Sequence, residues 1–466
     1  MPAGQAVSRL IVISNRVTIA DRRAESAGGL AVGILAAVRE AGGIWCGWSG
    51  ELNDSPDSRF RRFNADGIEY ATLDLEHGDY QGYYNGFANS VLWPLFHYRT
   101  DLVNFSRDAY DAYRRVNIRF AQALQALLQP DDIIWVHDYH LIPLAEELRA
   151  LGVTNPIGFF FHTPFPARQV LIGLPRHKEL LQSLAACDVV GFQTRGDLAA
   201  FRGYARDQWN AEEIGDDRLR VGNRVFRAQA FPIGIDVQSV ADFAARSARS
   251  QRIVRLRTSL QGRDLIVGVD RLDYSKGIPE RFRAFERLLE RFPAWRRRVT
   301  LLQIAPPTRE EVAEYSAIRQ SLETAAGHIN GAFAEYDWMP VRYLNRSFSR
   351  QALTGFLRYA KVGLVTPLRD GMNLVAKEYI AAQDPADPGV LVLSYFAGAA
   401  EELDSALLVN PYDVDEVAEA LDTALKMPLA ERQRRWQEAM DAISRHDIGA
   451  WRNNFVASLR AAPYAA

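Results

Sequence analysis

Two cations that follow a predicted strand form the strongest chemical candidate in this sequence. Arg271 and Lys276 occur in the segment VDRLDYSKG, in which the strand ends and a glycine follows the lysine. Two fixed cations suit a diphosphate leaving group, because the departing group gains negative charge in the transition state. In the alternative interpretation, the two cations belong to a surface salt-bridge cluster with Asp270 and Asp273.

A second candidate is the segment TPLRDGMNLVAKE, which leaves a strand, turns at Gly371 and enters a predicted helix. Backbone N–H groups at the start of that helix can bind a phosphate, while Asp370 can accept from a sugar hydroxyl and Glu378 from a ribose. In the alternative, Asp370 or Asn373 is only a helix cap, and Glu378 is a solvated residue paired with a nearby cation.

Glycines and arginines in other segments are weaker candidates. Gly28 and Gly29 allow a ligand to approach the backbone at the start of a predicted helix, but the GxGxxG dinucleotide fingerprint is absent. Arg16 follows the first predicted strand and Arg309 follows a later one, and two converging arginines can clamp a sugar phosphate. Because surface arginines are common, neither position assigns a role by itself.

An aromatic stretch and two strand ends contain further polar candidates. Tyr84 and Trp93 lie in a run of aromatic residues interleaved with Asn and Gly, which is either core or a wall that stacks on sugar rings. His162 ends the strand in FFFHTPFP, where it is either structural or a partner of a sugar hydroxyl. Asp138, in HDYH, is a candidate for binding acceptor hydroxyls.

The elements that must position these residues are short apolar runs separated by segments of helical periodicity. Such runs predict buried parallel strands in an α/β protein. They are residues 10–13, 133–136, 157–161, 189–192, 265–269, 299–304, 362–365 and 390–393. Polar or turn-forming residues follow most of them, and ligands bind beyond the carboxyl ends of strands in open parallel sheets.

The length of 466 residues, with 48% hydrophobic residues, exceeds what one hydrophobic core usually fills. We therefore expect two large domains. The segment FPIGID resembles a connector, so we predict an amino-terminal domain over 1–235 and a carboxyl-terminal domain over 236–447. A formal net charge of −2 provides no basic field for nucleic acid or an anionic membrane, which favours small molecules or protein as partners.

Cysteine content and hydropathy predict a cytoplasmic protein. The two cysteines, Cys46 and Cys187, are far apart and match neither a disulfide framework nor a zinc-ligand spacing. No apolar run reaches about 18 residues, and the first residues contain no apolar leader segment. We therefore expect neither export nor a membrane span.

Taken together, these segments resemble the trehalose-6-phosphate synthase family across nearly the whole chain. The matching motifs, in the order of the family, are SNR, SAGGLAVG, GYYNGF, VLWPLFHYR, DDIIWVHDYHL, FFFHTPFP, GFQT, FPIGID, VDRLDYSKGIPERF, QIAPPTR, TPLRDGMNLVAKEY and LVLSYFAGAAEEL. The resemblance implies an α/β, glycosyltransferase-B fold, with two Rossmann-like domains whose parallel sheets face each other across a cleft. It also implies that the domain over 1–235 binds the acceptor, that the domain over 236–447 binds the nucleotide-sugar, and that a last helix, about 448–466, packs back on the amino-terminal domain.

The activity implied by the resemblance is transfer of glucose from a nucleotide-glucose, expected to be UDP-glucose, to glucose 6-phosphate, giving α,α-trehalose 6-phosphate with retention. No cofactor and no metal are expected. Alternatives are a transferase that uses glycerol 3-phosphate or a pseudo-sugar phosphate as acceptor, and a non-catalytic sugar-phosphate sensor; the missing fingerprint makes a nicotinamide dehydrogenase remote. The sequence specifies neither the nucleotide base nor the oligomeric state, and a homo-oligomer, dimer or tetramer, is the expectation.

Matching motifs carry the roles of the family to positions in this sequence. The implied acceptor-binding residues are Arg16, Tyr84, Asp138 and Arg309, with both arginines on the phosphate. The implied donor-binding residues are Gly28, Gly29, Arg271, Lys276, Phe348, Asp370, Leu374, Val375, Ala376, Lys377 and Glu378. Catalytic roles are implied for Arg271, Lys276, His162 and Asp370. Trp93 and Thr163 are expected to govern anomer selectivity, and Thr163 departs from the aliphatic residue that bacterial members more often carry.

Overall fold

The computed structural model describes residues 8–17, 34–35, 38–39, 42–308 and 313–462. These residues form two compact units. Those of the first unit lie within Met1–Arg23, Ala27–Pro232 and Ala450–Ala466, and those of the second lie within Ile233–Gly449. The described chain therefore passes from one unit to the other after Pro232 and again after Gly449.

The first unit is built on a ten-stranded sheet. Its strands are β1 Leu10–Arg16, β2 Ile44–Leu52, β3 Arg61–Ala65, β4 Ile68–Leu75, β5 Ile133–His137, β6 Ile157–Phe160, β7 Val189–Phe192, β8 Glu212–Ile214, β9 Arg218–Val221 and β10 Arg224–Ala230. They lie in the order β3-β4-β2-β1-β5-β6-β7-β10-β9-β8. The strands from β4 to β10 in this order are parallel, and antiparallel strands extend both edges. Because β5, β6 and β7 are buried throughout, their sequences are nearly continuous apolar runs.

The second unit is built on a six-stranded parallel sheet. Its strands are β11 Asp264–Val269, β12 Val299–Ile304, β13 Val341–Leu344, β14 Val362–Val365, β15 Val390–Ser394 and β16 Leu407–Val409. They lie in the order β13-β12-β11-β14-β15-β16, and each neighbouring pair is parallel. This is the Rossmann order, in which the strand sequence reverses between β11 and β14. Ligands of such sheets bind at that reversal, beyond the carboxyl ends of the two strands.

Helices follow most of the parallel strands. Within residues 42–308 and 313–462, α-helices span His77–Asp79, Trp93–Phe96, Arg107–Gln125, Leu144–Ala150, Arg168–Leu171, His177–Gln182, Arg195–Trp209, Val237–Ser247, Gln251–Leu260, Ile278–Arg291, Ala313–Phe333, Arg350–Tyr359, Leu374–Ala382, Val414–Lys426, Leu429–Arg445 and Ile448–Arg460. A π-helix spans Tyr80–Leu92, and 3₁₀ helices span Thr100–Leu102, Tyr139–Leu141, Ser183–Ala186, Tyr274–Lys276, Pro293–Trp295 and Gly398–Glu401. The alternation of strands and helices makes each unit an α/β structure.

The last helix completes the core of the first unit. Phe455 stacks on Trp135 of β5, with ring centroids 4.6 Å apart, and Trp451 lies 4.9 Å from the same ring. A Cβ atom at Gly158 of β6 would lie 2.7 Å from the Phe455 ring, and one at Gly191 of β7 would lie 2.8 Å from it. The two strands therefore carry glycine where the Phe455 ring packs against them.

The eight predicted apolar runs all occur as strands, which confirms the prediction of an α/β fold with parallel sheets. The strands β2 and β4 were not predicted. Their sequences, IWCGWSGEL and IEYATLDL, mix polar and aromatic residues and do not form apolar runs. The domain ranges 1–235 and 236–447, and the roles attached to them, stay predictions.

A glycine on β14 allows the helix Leu374–Ala382 to lie close to the second sheet. A Cβ atom at Gly363 would lie 2.7 Å from ring atoms of the fully buried Tyr379. We expect Gly363→Ala to lower the free energy of unfolding by about 1–3 kcal/mol, because neither the sheet nor the ring has room to move. Urea denaturation measures this change.

Gly327 provides the matched control, since a Cβ atom there would meet nothing within 4 Å and the residue lies inside the helix Ala313–Phe333. Gly327→Ala should raise the free energy of unfolding by about 0.5–1 kcal/mol through helix propensity. Equal midpoints for the two alanine variants would contradict the steric argument.

Candidate active site

The reversal point of the second sheet brings together two residues that the sequence predicts to be catalytic. Lys276 ends the 3₁₀ helix that follows β11, and its Nζ pairs with Oδ2 of Asp370, which lies in the loop after β14. The same carboxylate oxygen accepts from Asn373 Nδ2 at 3.0 Å. Both Lys276 and Asp370 keep a small exposed fraction, 12% and 13% of the side chain, so a ligand can reach the pair.

The predicted alternative places Asp270 and Asp273 in a surface cluster with Arg271 and Lys276, but both aspartates are buried. Asp270 is buried, and its carboxylate accepts from Arg281 Nη2 at 2.9 Å. Burial raises the pKa of Asp270, and the neighbouring Arg281 opposes that shift. Asp273 is also buried and accepts from the backbone N–H of Ser275 at 2.9 Å.

Arg281 fixes the strand ends on which this site rests. Its side chain is fully buried in the first turn of the helix Ile278–Arg291. Besides Asp270, its guanidinium donates to Gln303 Oε1 on β12 at 2.8 Å and to Thr366 Oγ1 after β14 at 3.2 Å. Sequence reasoning did not select this arginine, although its position one turn after SKG was a signal that it could reach the strand ends.

The helix Leu374–Ala382 begins beside the Lys276–Asp370 pair. Asn373 has a positive φ of 70° and caps the helix by accepting from the N–H of Ala376 at 3.3 Å. Of the two candidate caps, Asn373 is therefore the cap, and Asp370 is held by Lys276. The amides of Leu374 and Val375 precede the first intrahelical bond, so they can donate to a phosphate.

Two side chains in this helix differ in what they can offer a ligand. The Lys377 side chain is fully buried and pairs with Glu402, so only its backbone can serve the predicted site. Glu378 is half-buried, and within the described residues no Lys or Arg side chain lies within ion-pair distance of its carboxylate. Burial raises the pKa of Glu378, and Arg350 opposes the shift. The alternative of a solvated, ion-paired Glu378 is therefore not observed.

The other residues predicted to bind the nucleotide-sugar lie near the same edge of the second sheet or outside the described residues. Arg271 is exposed and directly follows the buried Asp270 after β11. Phe348 lies in the loop after β13, two strands from the reversal, and its ring packs on Phe356 at 5.4 Å. Three residues predicted to bind donor or acceptor lie outside the described residues: Gly28, Gly29 and Arg309.

In the first unit, Arg16 ends β1 and presents an exposed guanidinium. The guanidinium lies over the ring of Trp48, 5.4 Å from its centroid. A Cβ atom at Gly50 would lie 2.4 Å from Arg16 Nη2, so the glycine leaves space for this side chain. No carboxylate of the described residues forms an ion pair with Arg16, which leaves its charge available for an anionic ligand.

Tyr84 belongs to a stack of rings beside Arg16. It lies 6.0 Å from Trp48, stacks on Tyr80 at 5.5 Å and stacks on His140 at 5.8 Å, as measured between ring centroids. Its neighbour Tyr83 is fully buried. The aromatic run is therefore core at Tyr83 and half-exposed at Tyr84, and the π-helix in which both lie was not predicted from the sequence.

Asp138 follows β5 with an unusual backbone. Its φ is 74°, a conformation that costs free energy in residues other than glycine and concentrates at functional sites. Its Oδ1 accepts from the backbone N–H of His162 at 3.1 Å. Burial raises the pKa of Asp138 to about 6, and the hydrogen bonds to His162, Tyr139 and Thr163 oppose that shift.

The imidazole of His162 lies between two uncharged side chains, those of His137 and Gln193. Its Nε2 lies 2.9 Å from Nδ1 of the buried His137, and its Nδ1 lies 3.5 Å from Gln193 Nε2. Burial lowers the pKa of His162 to about 3 and that of His137 well below its usual range. The imidazole of His162 is therefore neutral near pH 7 and can share hydrogen bonds without acting as a strong acid. His137 and Gln193 were not predicted as site residues, although the quoted motifs contain both.

The two residues expected to govern anomer selectivity are both buried in the first unit. Trp93 packs on His97, with ring centroids 4.0 Å apart, and on Tyr139 at 5.7 Å. The Thr163 hydroxyl points to Asp138 Oδ1 at 3.5 Å. The departure at Thr163 therefore adds a hydroxyl next to a predicted acceptor-binding carboxylate.

Two kinds of site are not found in the part of the chain that the structure describes. No group of three or more His, Cys, Asp and Glu side chains there is placed to hold a metal ion. No helix of residues 8–17, 42–308 and 313–462 combines the length and the apolar character that crossing a membrane requires.

A pair of Rossmann-like units, with cations and a free helix start at the reversal of the second sheet, is typical of glycosyltransferases that use nucleotide-sugars. Comparison with known proteins agrees. The family model of glycosyltransferase family 20 matches residues 8–461. A trehalose-6-phosphate synthase of Klebsiella pneumoniae subsp. pneumoniae is 51% identical over 454 residues, which cover 97% of this chain and 95% of that protein.

Solved structures give the same result. An α,α-trehalose-phosphate synthase (UDP-forming) from Burkholderia xenovorans in complex with glucose 6-phosphate is 50% identical, with a TM-score of 0.93 and coverage of 97% of this chain and 100% of that chain. An E. coli relative bound with UDP-2-fluoro glucose is 49% identical, with a TM-score of 0.92 and coverage of 97% and 99%. The chain belongs to glycosyltransferase family 20. It is a hexosyltransferase, and the predicted glycosyltransferase-B fold is confirmed.

The raised pKa of Asp138, about 6, predicts a pH dependence of stability. Between about pH 4 and pH 6 the unfolded state loses this proton while the folded state keeps it, so stability falls as pH rises through this range. Asp138→Asn retains the acceptor oxygen but does not titrate. The free energy of unfolding of the unaltered protein, minus that of Asp138→Asn, should therefore fall by about 1–3 kcal/mol between pH 4 and pH 7.

Urea denaturation at four pH values measures this difference. Because His162 is present in both proteins, its own titration does not contribute to the difference. Asp131→Asn, at an exposed position, is the control. A difference between protein and Asp138→Asn that stays constant with pH would show that the carboxyl is not protonated in the folded state above pH 4.

Proposed function

We propose that this protein transfers glucose from UDP-glucose to glucose 6-phosphate, with retention of configuration, and forms α,α-trehalose 6-phosphate and UDP. The observation that carries the proposal is the Lys276–Asp370 pair beside the free start of the helix Leu374–Ala382, in a member of glycosyltransferase family 20. A relative in complex with glucose 6-phosphate and another bound with UDP-2-fluoro glucose support the choice of acceptor and donor.

The donor site uses cations and backbone amides of the second unit. Lys276 and Arg271 stabilise the charge that develops on the departing diphosphate, and the amides of Leu374 and Val375 donate to its phosphate oxygens. Asp370 accepts from a hydroxyl of the transferred sugar, and Glu378 accepts from the ribose. The backbone around Phe348 contacts the base.

The acceptor site uses the carboxyl edge of the first sheet. Arg16, together with Arg309, holds the phosphate of glucose 6-phosphate, while Tyr84 and Asp138 contact its sugar. Above pH 6 the Asp138 carboxyl is mainly ionised, as an acceptor of sugar hydroxyls must be. His162, which stays neutral, donates or accepts one hydrogen bond at the transferred glucose.

The reaction needs no nucleophile from the protein. The bond between the anomeric carbon and the phosphate oxygen breaks, and the acceptor oxygen forms its bond on the same face. The proton of the acceptor hydroxyl moves to the departing phosphate oxygen, so charge and atoms balance. Orientation of the two substrates and electrostatic stabilisation of the diphosphate supply the rate enhancement.

Product analysis tests the proposal. Purified protein is mixed with glucose 6-phosphate and, separately, with UDP-glucose, ADP-glucose and GDP-glucose, and the products are followed by NMR. An α,α-1,1-linked disaccharide phosphate with release of UDP is expected. Nucleotide release only with glycerol 3-phosphate or a pseudo-sugar phosphate would reassign the acceptor, and no turnover with any pair would favour a sugar-phosphate sensor.

Lys276→Ala should lower kcat about 10²- to 10³-fold, because the ammonium stabilises the negative charge that appears only in the transition state. The KM of each substrate should change much less. Steady-state kinetics measure both constants. The control is Lys361→Ala, which removes a partly exposed lysine paired with Asp264, the first residue of β11. An unchanged kcat in Lys276→Ala would remove this lysine from the leaving-group site.

A further inference from the structure

A fully buried lysine in the donor segment has a side chain that the proposed reaction does not use. Lys377 is the fourth residue of the helix Leu374–Ala382, and its side chain is 0% exposed. Its Nζ donates to the backbone carbonyl of Ile233 at 2.8 Å and pairs with the carboxylate of Glu402. Burial lowers the pKa of Lys377, and the pairing with Glu402 opposes that shift.

Glu402 extends this contact to a second segment of the chain. While one carboxylate oxygen pairs with Lys377, the other lies 2.7 Å from Nδ1 of His446. Glu402 is 9% exposed, whereas His446 is 51% exposed. The three side chains therefore form one continuous chain of contacts from the buried helix to the surface of the second unit.

Both ends of this chain of contacts lie where the backbone passes between the two units. Ile233 is the first residue after the passage at Pro232, and His446 precedes the passage at Gly449 by three residues. The two passing segments also bond to each other, since the Ile448 N–H donates to the Ile235 carbonyl at 3.1 Å. A Cβ atom at Gly234 would lie 2.0 Å from the carbonyl oxygen of His446, so only glycine fits there.

Stability alone does not explain a buried ion pair of this kind. Removing charges from water costs several kcal/mol, and replacing a buried pair by apolar residues of similar volume is often neutral or stabilising. A pair of fixed length does, however, set the distance between the elements that carry it. Here those elements are the helix whose first amides are assigned to the donor and the segments at residues 233–236 and 446–449.

We propose that Lys377 is a positioning residue for the nucleotide-sugar. Its side chain holds the donor-binding first turn of the helix Leu374–Ala382 against residues 233–236 and 446–449, the two segments at which the chain passes between its units. This inference rests on the proposed function, since it takes the ligand of that turn to be UDP-glucose. Donor binding fixes the helix, the lysine transmits the restraint to the passing segments, and order in those segments favours donor binding in return. Such coupling is reciprocal by linkage.

Two variants separate positioning from stability. Lys377→Met deprives the buried Glu402 carboxylate and the Ile233 carbonyl of the ammonium that donates to both, so its Tm should fall. The double variant Lys377→Met with Glu402→Leu removes both charges, so its Tm should return towards that of the unaltered protein. Its Kd for UDP-glucose, measured by calorimetry, should nevertheless be raised about tenfold, a typical coupling between two sites. The KM for glucose 6-phosphate should stay within about twofold.

The matched control is the double variant Lys361→Met with Asp264→Leu, which removes a partly exposed ion pair of the same unit. It should leave the Kd for UDP-glucose unchanged. Hydrogen exchange of the Ile448 amide provides a second readout. UDP-glucose should slow this exchange in the unaltered protein and in the control, but not in the Lys377→Met, Glu402→Leu variant.

His446→Ala keeps the experiment decisive if the double variant folds poorly, because it removes one contact at an exposed position. It should raise the Kd for UDP-glucose about two- to fivefold and speed exchange of the Ile448 amide. The inference would be overturned if His446→Ala changed neither the Kd for UDP-glucose nor the exchange of the Ile448 amide. The same result in the Lys377→Met, Glu402→Leu variant, once its Tm has recovered, would also overturn it. Failure of the unaltered protein to bind UDP-glucose would instead overturn the proposed function.

Discussion

The second unit depends on one buried guanidinium. Arg281 binds residues from the ends of β11, β12 and β14, so three neighbouring strands share a single cation. A buried charge is tolerated only when its partners satisfy it, and here Asp270 supplies the countercharge while Gln303 and Thr366 supply neutral acceptors. The loops that present Lys276 and Asp370 leave these same strand ends. The positions of Lys276 and Asp370 therefore depend on an interaction that is buried inside the unit.

The side chains at the strand ends of the two units differ in their electrostatic character. The second unit places a cation and a carboxylate in contact, which suits a ligand that has both charged phosphates and neutral hydroxyl groups. The first unit keeps His137 and His162 neutral by burial and gives Asp138 a raised pKa. Neutral imidazoles and a partly desolvated carboxylate suit hydroxyl groups.

Sequence reasoning selected the segments of Asp138, His162, Arg271 and Asp370 because each follows a strand, and these strands are apolar enough to recognise. It did not identify what those segments bind within the protein. Asp270 was weighed as a partner of Arg271 and Lys276, whereas its partner is Arg281, which approaches from the following helix. Lys377 and Glu402 occur in two separate motifs, and only folding shows that they meet. Pairing across such distances is set by packing, which periodicity does not encode.

The helix Ile448–Arg460 has a consequence for the order in which the protein is made. Its Trp451 and Phe455 fill the core around Trp135, yet they are synthesised only after the whole of the second unit. The described residues of the second unit, in contrast, all lie between Ile233 and Gly449. During synthesis the second unit can therefore form its core first. The first unit still exposes apolar residues until the helix Ile448–Arg460 packs on them. A chaperone that shields apolar surface would find its target in the amino-terminal half of the nascent chain.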